Sequence, residues 1–153
     1  LLSSLHAQGA YGESLVTEVS GSRLNPRITE EGMKTRGHYP KMDGSRIFKL
    51  AVKRLPEVTI EALEKAGLSI EDVDMIFPHQ ANLRINQFYQ KSLELPDEKM
   101  FNNIQRYGNT TAGTIPISLD EAIEQNLLKK NATVVFSGLG AGVTWGAIVY
   151  RLP

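Results

Sequence analysis

The sequence has no cysteine, and its 153 residues carry equal numbers of basic and acidic side chains, 17 of each. Without cysteine, these residues form no disulfide bond, no thiolate zinc site and no cysteine nucleophile. The balanced charge gives no net field that would attract nucleic acid or an anionic lipid surface. No apolar run is long enough to span a bilayer. We therefore expect neither nucleic acid nor a membrane as a partner.

What is present fits a compact domain that belongs to a longer chain. Hydrophobic residues make up 41% and charged residues 22% of the sequence, a composition typical of a globular core with a solvated surface. The chain opens at Leu1 with neither an initiator methionine nor a basic leader. We therefore expect it to be part of a larger protein.

A strand, a long loop and a long helix are predicted for the first 67 residues. Residues 1–7 are predicted to form a strand, and the weak periodicity over residues 9–45 predicts a loop. From Arg46 to Ala66, apolar residues recur at helical spacing, and Gly67 is expected to end this helix. Pro56 removes one backbone donor inside the helix, so we expect a bend there.

Alternating strands and helices are predicted for the rest of the chain. Ser69 to Asp72 has the spacing of a capping box. The apolar segments then predict a strand at 75–77, a helix from Leu83, a short strand at 100–104, a helix with Pro116 in its first turn, and strands at 133–137 and 143–150. This order favours an α/β layered fold, in which helices pack against a mixed sheet and the last two strands form an antiparallel pair.

Residues 78–85 place a polar cluster between a buried strand and the start of a helix, where α/β sheets bind ligands. His79 can donate or accept a proton near neutral pH, Asn82 can cap the helix, and Arg84 projects about one turn further on. A capped helix next to a hydrogen-bonded histidine without a catalytic role explains the same spacing.

Two loops that contain glycine complete the candidates. In residues 108–116, glycine permits unusual backbone angles and Asn109 can present an amide donor to a cleft, although an ordinary threonine-capped turn also fits. In residues 138–142, small side chains leave amide hydrogens accessible, so this loop can form half of an oxyanion hole or a plain hairpin. It is not a dinucleotide-binding fingerprint, because a strand follows it.

The remaining polar residues predict no further site. His6 and His38 have no ligand-like spacing to each other or to His79, so we predict no metal. The mixed charges of residues 27–36 favour a solvated segment over a binding patch.

Taken together, the motifs resemble the ordered signature of the β-ketoacyl-acyl-carrier-protein synthase III family. They are Pro78-His79-Gln80-Ala81-Asn82-Leu83-Arg84-Ile85, Gly108-Asn109-Thr110-Thr111-Ala112, and Gly138 to Trp145-Gly146, preceded by Met42-Asp43-Gly44-Ser45-Arg46-Ile47-Phe48. The resemblance covers nearly the whole chain and implies a thiolase-like fold of two similar halves. Residues 46–153 would form the C-terminal half, and residues 1–45 the end of the N-terminal half with a connecting loop. The nucleophilic cysteine belongs to the first half, which the resemblance implies is missing here.

The resemblance also implies roles for individual residues. His79, in its neutral form, and Asn109 would both donate hydrogen bonds to the carbonyl oxygen of a malonyl thioester as it gains enolate charge. The amide of Ala141 would complete the oxyanion hole of the acyl-enzyme. Asn82 would contact the pantetheine arm of coenzyme A, and Arg84 would help to dock the acyl carrier protein. The acyl pocket would be shaped by Met42, Gly44, Ile47, Phe48 and Leu139.

The implied activity is the decarboxylative condensation of a short acyl-coenzyme A with malonyl-acyl carrier protein, which starts fatty-acid synthesis. The chain alone is expected to be inactive, because its partners would include the missing N-terminal half with the cysteine. The other implied partners are acyl carrier protein, acyl-coenzyme A and a second copy in a homodimer. A cytoplasmic location is implied, and no cofactor beyond the thioester substrates.

The sequence departs from the family pattern at two positions of the third motif. Ala141 stands where glycine is usual, and Leu139 stands where phenylalanine is common. An alanine still offers its amide, but its methyl group can change the cavity and so the acyl preference. Two alternatives stay open: a related condensing or acyl-transfer enzyme of secondary metabolism, and a noncatalytic thiolase-like subunit that pairs with an active partner.

Overall fold

A computed structural model describes residues 1–22 and 24–153, so Arg23, within the predicted loop of residues 9–45, lies outside the described residues. The strands are β1 (Leu2–Ala7), β2 (Leu15–Val16), β3 (Lys41–Met42), β4 (Met75–Pro78), β5 (Thr133–Gly140) and β6 (Thr144–Arg151). The helices are α1 (Glu30–Lys34), α2 (Gly44–Lys65), α3 (Leu83–Ser92), α4 (Ile104–Tyr107) and α5 (Thr114–Glu124).

The main sheet has four strands in the order β1, β6, β5, β4. β4 and β5 are parallel, whereas β6 is antiparallel to both of its neighbours, β5 and β1. The shorter strands β2 and β3 pair with each other in a separate antiparallel ribbon. The predicted mixed sheet and the predicted antiparallel pairing of the last two strands are therefore confirmed.

Two apolar clusters lie on opposite faces of β4 and β5. Ile76 and Val135 belong to the cluster that contains buried residues of α2 and α3, whereas Phe77 and Val134 belong to the cluster that contains Ala122 of α5. Successive side chains of a strand point to opposite faces, so one short apolar run feeds both clusters. All four residues of β4 are buried as a result, as expected for a strand that helices cover on both faces.

Helix α2 is the longest element and forms one wall of the core. It begins at Gly44, two residues before the predicted start, because the Asp43 carboxylate accepts a hydrogen bond from the Arg46 amide at 3.0 Å. The helix continues through Pro56 to Lys65, and Gly67, with a φ of 67°, follows its end as predicted. The expected bend at Pro56 stays a prediction.

In the middle of the chain, one prediction from local residue patterns is confirmed and another is wrong. The capping box of Ser69 and Asp72 is confirmed, with the Ser69 amide donating to the Asp72 carboxylate at 2.8 Å. The strand predicted at 100–104 is wrong: Met100 makes an isolated parallel bridge to Ile76, and Ile104 begins α4. The reason is the Asn103 amide, which donates to the buried Gln80 side chain instead of a neighbouring strand.

The prediction of a continuous loop over residues 9–45 is also wrong in detail. A 3-10 turn at Gly9–Ser14, the β2–β3 ribbon and α1 occupy parts of this segment. Helix α1 begins where the Thr29 hydroxyl accepts a hydrogen bond from the Gly32 amide at 3.0 Å. These elements are two to six residues long, too short for periodicity to identify.

No helix within residues 1–22 and 24–153 combines the length and the apolar character that a membrane crossing needs.

A buried hydrogen bond joins α2 to α3 through the side chains of Thr59 and Tyr89. Both residues are fully buried, and burial raises the pKa of Tyr89 to about 12, so its hydroxyl keeps its proton at neutral pH. We expect Tyr89→Phe to reduce the free energy of unfolding by about 1–3 kcal/mol, because it leaves the Thr59 hydroxyl without this partner. Urea denaturation followed by circular dichroism measures the change.

The matched control for this prediction is the double variant Thr59→Val with Tyr89→Phe. Removing both polar groups leaves neither position of the pair with an orphaned hydroxyl, so the double variant should lose less stability than the sum of the two single variants. Additive losses would contradict a direct bond between the two side chains.

Candidate functional site

The three motif-bearing loops meet at one cavity of about 1000 Å³. Because β4 and β5 are parallel, their carboxyl ends lie at the same edge of the sheet. His79 follows β4, and Gly138 to Ala141 end β5 and form the turn to β6. The loop that precedes α5 brings Asn109 to the same cavity. The structure therefore places all three predicted loops around one space.

Six of the ten predicted site residues are among the described residues that line this cavity. They are His79, Asn109, Ala141, Leu139, Met42 and Ile47. The remaining four, namely Asn82, Arg84, Gly44 and Phe48, are not among the described lining residues. Their predicted roles and those of the lining residues stay predictions.

His79 is held by its backbone and by its ring. Its amide donates to the Ser137 carbonyl of β5 at 2.7 Å, which continues the pairing of β4 with β5 by one residue. The ring Nδ1 lies 2.6 Å from the Thr114 hydroxyl oxygen, which leaves Nε2 for a ligand in the cavity. Burial lowers the pKa of His79 below its usual value, so the ring is neutral at pH 7.

Gly138 of β5 lies directly beside His79. A β-carbon placed on Gly138 would lie 3.4 Å from the β-carbon of His79, at the limit of ordinary contact. Glycine at this position therefore lets β5 run directly beside the histidine without a side chain between them.

The neighbouring Gln80 is fully buried and anchors the same junction. Its side-chain amide donates to the carbonyls of Pro78 at 2.9 Å and Phe101 at 3.2 Å. Its side-chain oxygen accepts from the Asn103 amide at 3.3 Å. Sequence reasoning missed Gln80 and Asn103, because a buried carboxamide and an exposed one look the same in a sequence.

Asn109 is fixed by its oxygen, which accepts a hydrogen bond from the Thr111 amide at 2.9 Å. Its side-chain nitrogen is therefore the end that is left to donate into the cavity. Thr111 has a φ of 54°, the left-handed region that β-branched residues rarely adopt. This backbone conformation belongs to the turn that leads from Asn109 into α5.

Ala141 lies in the turn between β5 and β6. Its carbonyl accepts a hydrogen bond from the Thr144 hydroxyl at 3.2 Å, and the residue lines the cavity. Gly142 follows with a φ of 132°, a conformation that requires glycine. Leu139 lines the cavity and packs against the cluster that contains α2 and α3.

The four other predicted residues belong to α2 and to the start of α3. The Asn82 side chain caps α3 by accepting from the Arg84 amide at 2.9 Å, which confirms the predicted cap, and both side chains are exposed. Gly44 begins α2. Phe48 meets Phe88 edge to face, with ring centroids 5.6 Å apart, and packs on the core.

The environment of His6 consists of a carboxylate and an indole ring. His6 pairs with Glu61 at 2.7 Å and stacks on Trp145. Hydrogen bonds from Lys65 and then His6 lower the pKa of Glu61 to about 2. Within the described ranges, no three histidine, cysteine, aspartate or glutamate side chains are grouped as metal ligands.

Residues 63–152 match the family described as 3-Oxoacyl-[acyl-carrier-protein (ACP)] synthase III C terminal. A β-ketoacyl-acyl-carrier-protein synthase III from Clostridium perfringens is 42% identical over 149 residues, which cover 97% of this chain and 45% of that protein. The crystal structure of 3-oxoacyl-acyl-carrier-protein synthase III from Aquifex aeolicus matches with a TM-score of 0.84 and 38% identity, over 99% of this chain and 44% of that chain. For the β-ketoacyl-acyl-carrier-protein synthase III from Thermus thermophilus, the TM-score is 0.87 at 35% identity, over 99% and 46% of the two chains. The chain thus spans a little less than half the length of these relatives.

The neutral state of His79 predicts a specific pH dependence of stability. Its folded-state pKa lies below the value of about 6.5 for an unfolded histidine. The unfolded state therefore binds the extra proton first as the pH falls below about 6.5, and this destabilises the folded state. We expect the difference in free energy of unfolding between wild type and His79→Gln to shrink as the pH falls from about 7.5 to about 5.5.

Urea denaturation of both proteins across this pH range measures the effect. Since the variant keeps every other titrating group, the carboxylates cancel in the difference. A difference that grows on acidification would mean that folding raises the pKa of His79, contrary to its burial.

Proposed function

The chain belongs to the 3-oxoacyl-acyl-carrier-protein synthase III family, whose C-terminal part it matches, and from this premise we propose the function of the whole protein. The complete enzyme condenses a short acyl group from acyl-coenzyme A with malonyl-acyl carrier protein, the first condensation of fatty-acid synthesis. This chain contributes the two hydrogen-bond donors that act on the malonyl thioester, His79 and Asn109.

The family assignment agrees with the predicted fold and shows how much of the length of its relatives this chain covers. The predicted thiolase-like α/β architecture is confirmed by the likeness to the Aquifex and Thermus enzymes. The chain covers only about 45% of its relatives. The nucleophile, the substrates and the activity of the whole protein are therefore part of the proposal.

The proposed reaction has two stages. First, an upstream cysteine thiolate attacks the acyl-coenzyme A, takes the acyl group and releases coenzyme A. Next, the malonyl thioester loses carbon dioxide, and its enolate carbon attacks the acyl carbonyl. The cysteine thiolate then leaves, and the 3-oxoacyl group remains on the carrier protein. Negative charge builds up on one thioester oxygen when carbon dioxide leaves.

One observation supports the proposal most strongly: two donors from loops about 30 residues apart in sequence line the same cavity. The Asn109 nitrogen is left free because its side-chain oxygen is bound by the Thr111 amide. His79 is uncharged because of its burial, so it acts as a hydrogen-bond donor without adding a proton to the enolate. Donors held in place before charge develops stabilise the transition state more than the ground state.

Ala141 supplies half of a second oxyanion hole in this proposal. Its amide, on the turn that follows β5, receives the oxygen of the acyl-enzyme together with the amide of the upstream cysteine. The cavity-lining position of Ala141 supports this role.

The substrate contacts of the remaining residues belong to the same proposal. Asn82 contacts the pantetheine arm and Arg84 the acidic carrier protein, since both are exposed while Ala81 and Ile85 beside them line the cavity. The proposed acyl pocket comprises Met42, Gly44, Ile47, Phe48 and Leu139, of which Met42, Ile47 and Leu139 line the cavity.

An upstream half is proposed to cover the apolar surface that this chain exposes. Leu5 on β1 is 73% exposed, and Ile123 on α5 is 54% exposed, which is costly for large apolar side chains in water. The proposed boundary between the end of the N-terminal half and the C-terminal half lies after residue 45. Strand β1, which precedes this boundary, belongs to the same sheet as β4, β5 and β6. A homodimer, a cytoplasmic location and the need for no cofactor beyond the thioester substrates also remain proposals that rest on the family.

The two alternatives are not favoured. The similar proteins named above carry the synthase III name rather than that of an enzyme of secondary metabolism. A noncatalytic subunit would have no need for a neutral histidine and an oriented carboxamide at a shared cavity.

We expect His79→Ala and Asn109→Ala in the full-length protein each to slow decarboxylation of malonyl-acyl carrier protein by about 100-fold to 1000-fold, because each removes one donor from the developing enolate. Acylation by acetyl-coenzyme A should change far less, since the upstream nucleophile performs it. Release of labelled carbon dioxide measures the first step, and intact-protein mass spectrometry measures the second.

The matched control for these variants is Gln105→Ala, which removes an exposed polar side chain from α4. It should keep both steps at the wild-type rate. Equal decarboxylation by the His79→Ala variant and wild type would refute the assignment.

The chain alone should be inactive, and its missing half should restore activity. We expect residues 1–153 to release no carbon dioxide from malonyl-acyl carrier protein, whereas co-expression with the upstream half restores condensation of acetyl-coenzyme A. The control is an upstream half whose cysteine is replaced by alanine, which should abolish acylation. Condensation by residues 1–153 on their own would be incompatible with an upstream nucleophile.

A further inference from the structure

Thr114, the first residue of α5, contacts His79 through a hydroxyl group to which the motifs gave no role. Its oxygen lies 2.6 Å from Nδ1 of His79 and 3.0 Å from the Thr111 carbonyl oxygen. Thr114 is 2% exposed, so water does not compete for either contact. The hydroxyl has a single hydrogen, and it goes to one of the two neighbours.

The destination of that hydrogen decides which nitrogen of the neutral histidine carries a proton. If the hydrogen goes to Thr111, His79 donates from Nδ1, and Nε2 presents a lone pair to the cavity. If it goes to His79, Nδ1 accepts, and the ring proton must be on Nε2, where it faces the ligand. Only the second arrangement provides a hydrogen-bond donor for an enolate oxygen.

Two features of the structure favour the second arrangement. A separation of 2.6 Å is shorter than the usual range for a nitrogen that donates to an oxygen. The Thr111 carbonyl does not need the hydroxyl, because it also accepts the backbone amide of Thr114. The hydrogen can therefore go to His79 without leaving that carbonyl unsatisfied.

We propose that Thr114 is a positioning residue that donates its hydroxyl hydrogen to Nδ1 of His79 and thereby keeps the proton on Nε2. The inference rests on the proposed function, because it concerns how His79 becomes a donor to the malonyl thioester. It assigns no contact between Thr114 and the substrate.

The fold fixes Thr114 in place for this task. The Ser118 hydroxyl donates to the Thr114 carbonyl at 2.8 Å and lies 3.0 Å from the Asn103 side-chain oxygen. The Asn103 amide in turn donates to Gln80, the residue after His79. The buried polar side chains of Ser118, Asn103 and Gln80 thus connect the start of α5 to the end of β4, in addition to the direct contact between His79 and Thr114.

The test compares Thr114→Val, which keeps the shape but removes the hydroxyl, with Thr114→Ser, which keeps the hydroxyl. In the full-length wild-type protein at neutral pH, the ¹⁵N shifts of His79 should show a protonated Nε2 and an unprotonated, hydrogen-bonded Nδ1. Thr114→Val should shift the Nδ1 signal and slow decarboxylation of malonyl-acyl carrier protein about fivefold to tenfold, the effect of one lost hydrogen bond. Thr114→Ser should restore both readouts to within about twofold of wild type.

The control is Thr35→Val, which makes the same change at an exposed position next to α1, away from the cavity, and should leave the shifts and the rate unchanged. A protonated Nδ1 in wild type, or a Thr114→Val variant with wild-type shifts and rate, would overturn the inference. If Thr114→Val does not fold, the shifts of wild type and Thr114→Ser still decide which nitrogen is protonated. A wild-type protein that does not decarboxylate malonyl-acyl carrier protein would instead refute the proposed function, whatever the nitrogen shifts show.

Discussion

The parallel pairing of β4 with β5 is the constraint on which the site depends. Phe77 lies opposite Phe136 and Pro78 opposite Ser137, so the two strands end together at one edge of the sheet. His79 follows Pro78 in the chain, and Gly138 follows Ser137. A slip of one residue would send the side chains of β5 to the wrong faces. The register that fills the two apolar clusters therefore also places the histidine beside a glycine.

Buried polar contacts convert this strand pairing into a defined arrangement of loops. Asn103 donates from its side chain to Glu121 at 2.9 Å and from its backbone to Gln80 at 3.3 Å, and its side-chain oxygen lies 3.0 Å from the Ser118 hydroxyl. One residue thus joins the end of β4, the segment before α4, and α5. A buried polar network whose members are satisfied favours a single arrangement over others, because any rearrangement leaves a polar group unpaired.

Features governed by neighbouring residues could be predicted from the sequence. The cap at Asn82, the capping box of Ser69, and β4 as a short apolar run each depend on local spacing. The ordered motifs also identified the three loops that meet at the cavity. The failures depend on contacts between distant residues: no local pattern shows that Asn103 donates to Gln80 and not to a strand, or that Thr114 reaches a histidine 35 positions earlier.

The side-chain oxygen and nitrogen of Asn109 have different roles, one in the turn and one in the proposed chemistry. The oxygen is bound by the Thr111 amide and shapes the turn, whereas the nitrogen is the atom that this turn does not use. An aspartate has nearly the same shape and offers the same oxygen to that amide, but it has no hydrogen to give and brings a negative charge. Exchange of this one nitrogen for oxygen would thus leave a well-folded loop that repels an enolate. The oxygen of Asn109 contributes to thermal stability and its nitrogen to the chemistry, so a melting curve would not detect the loss of the nitrogen.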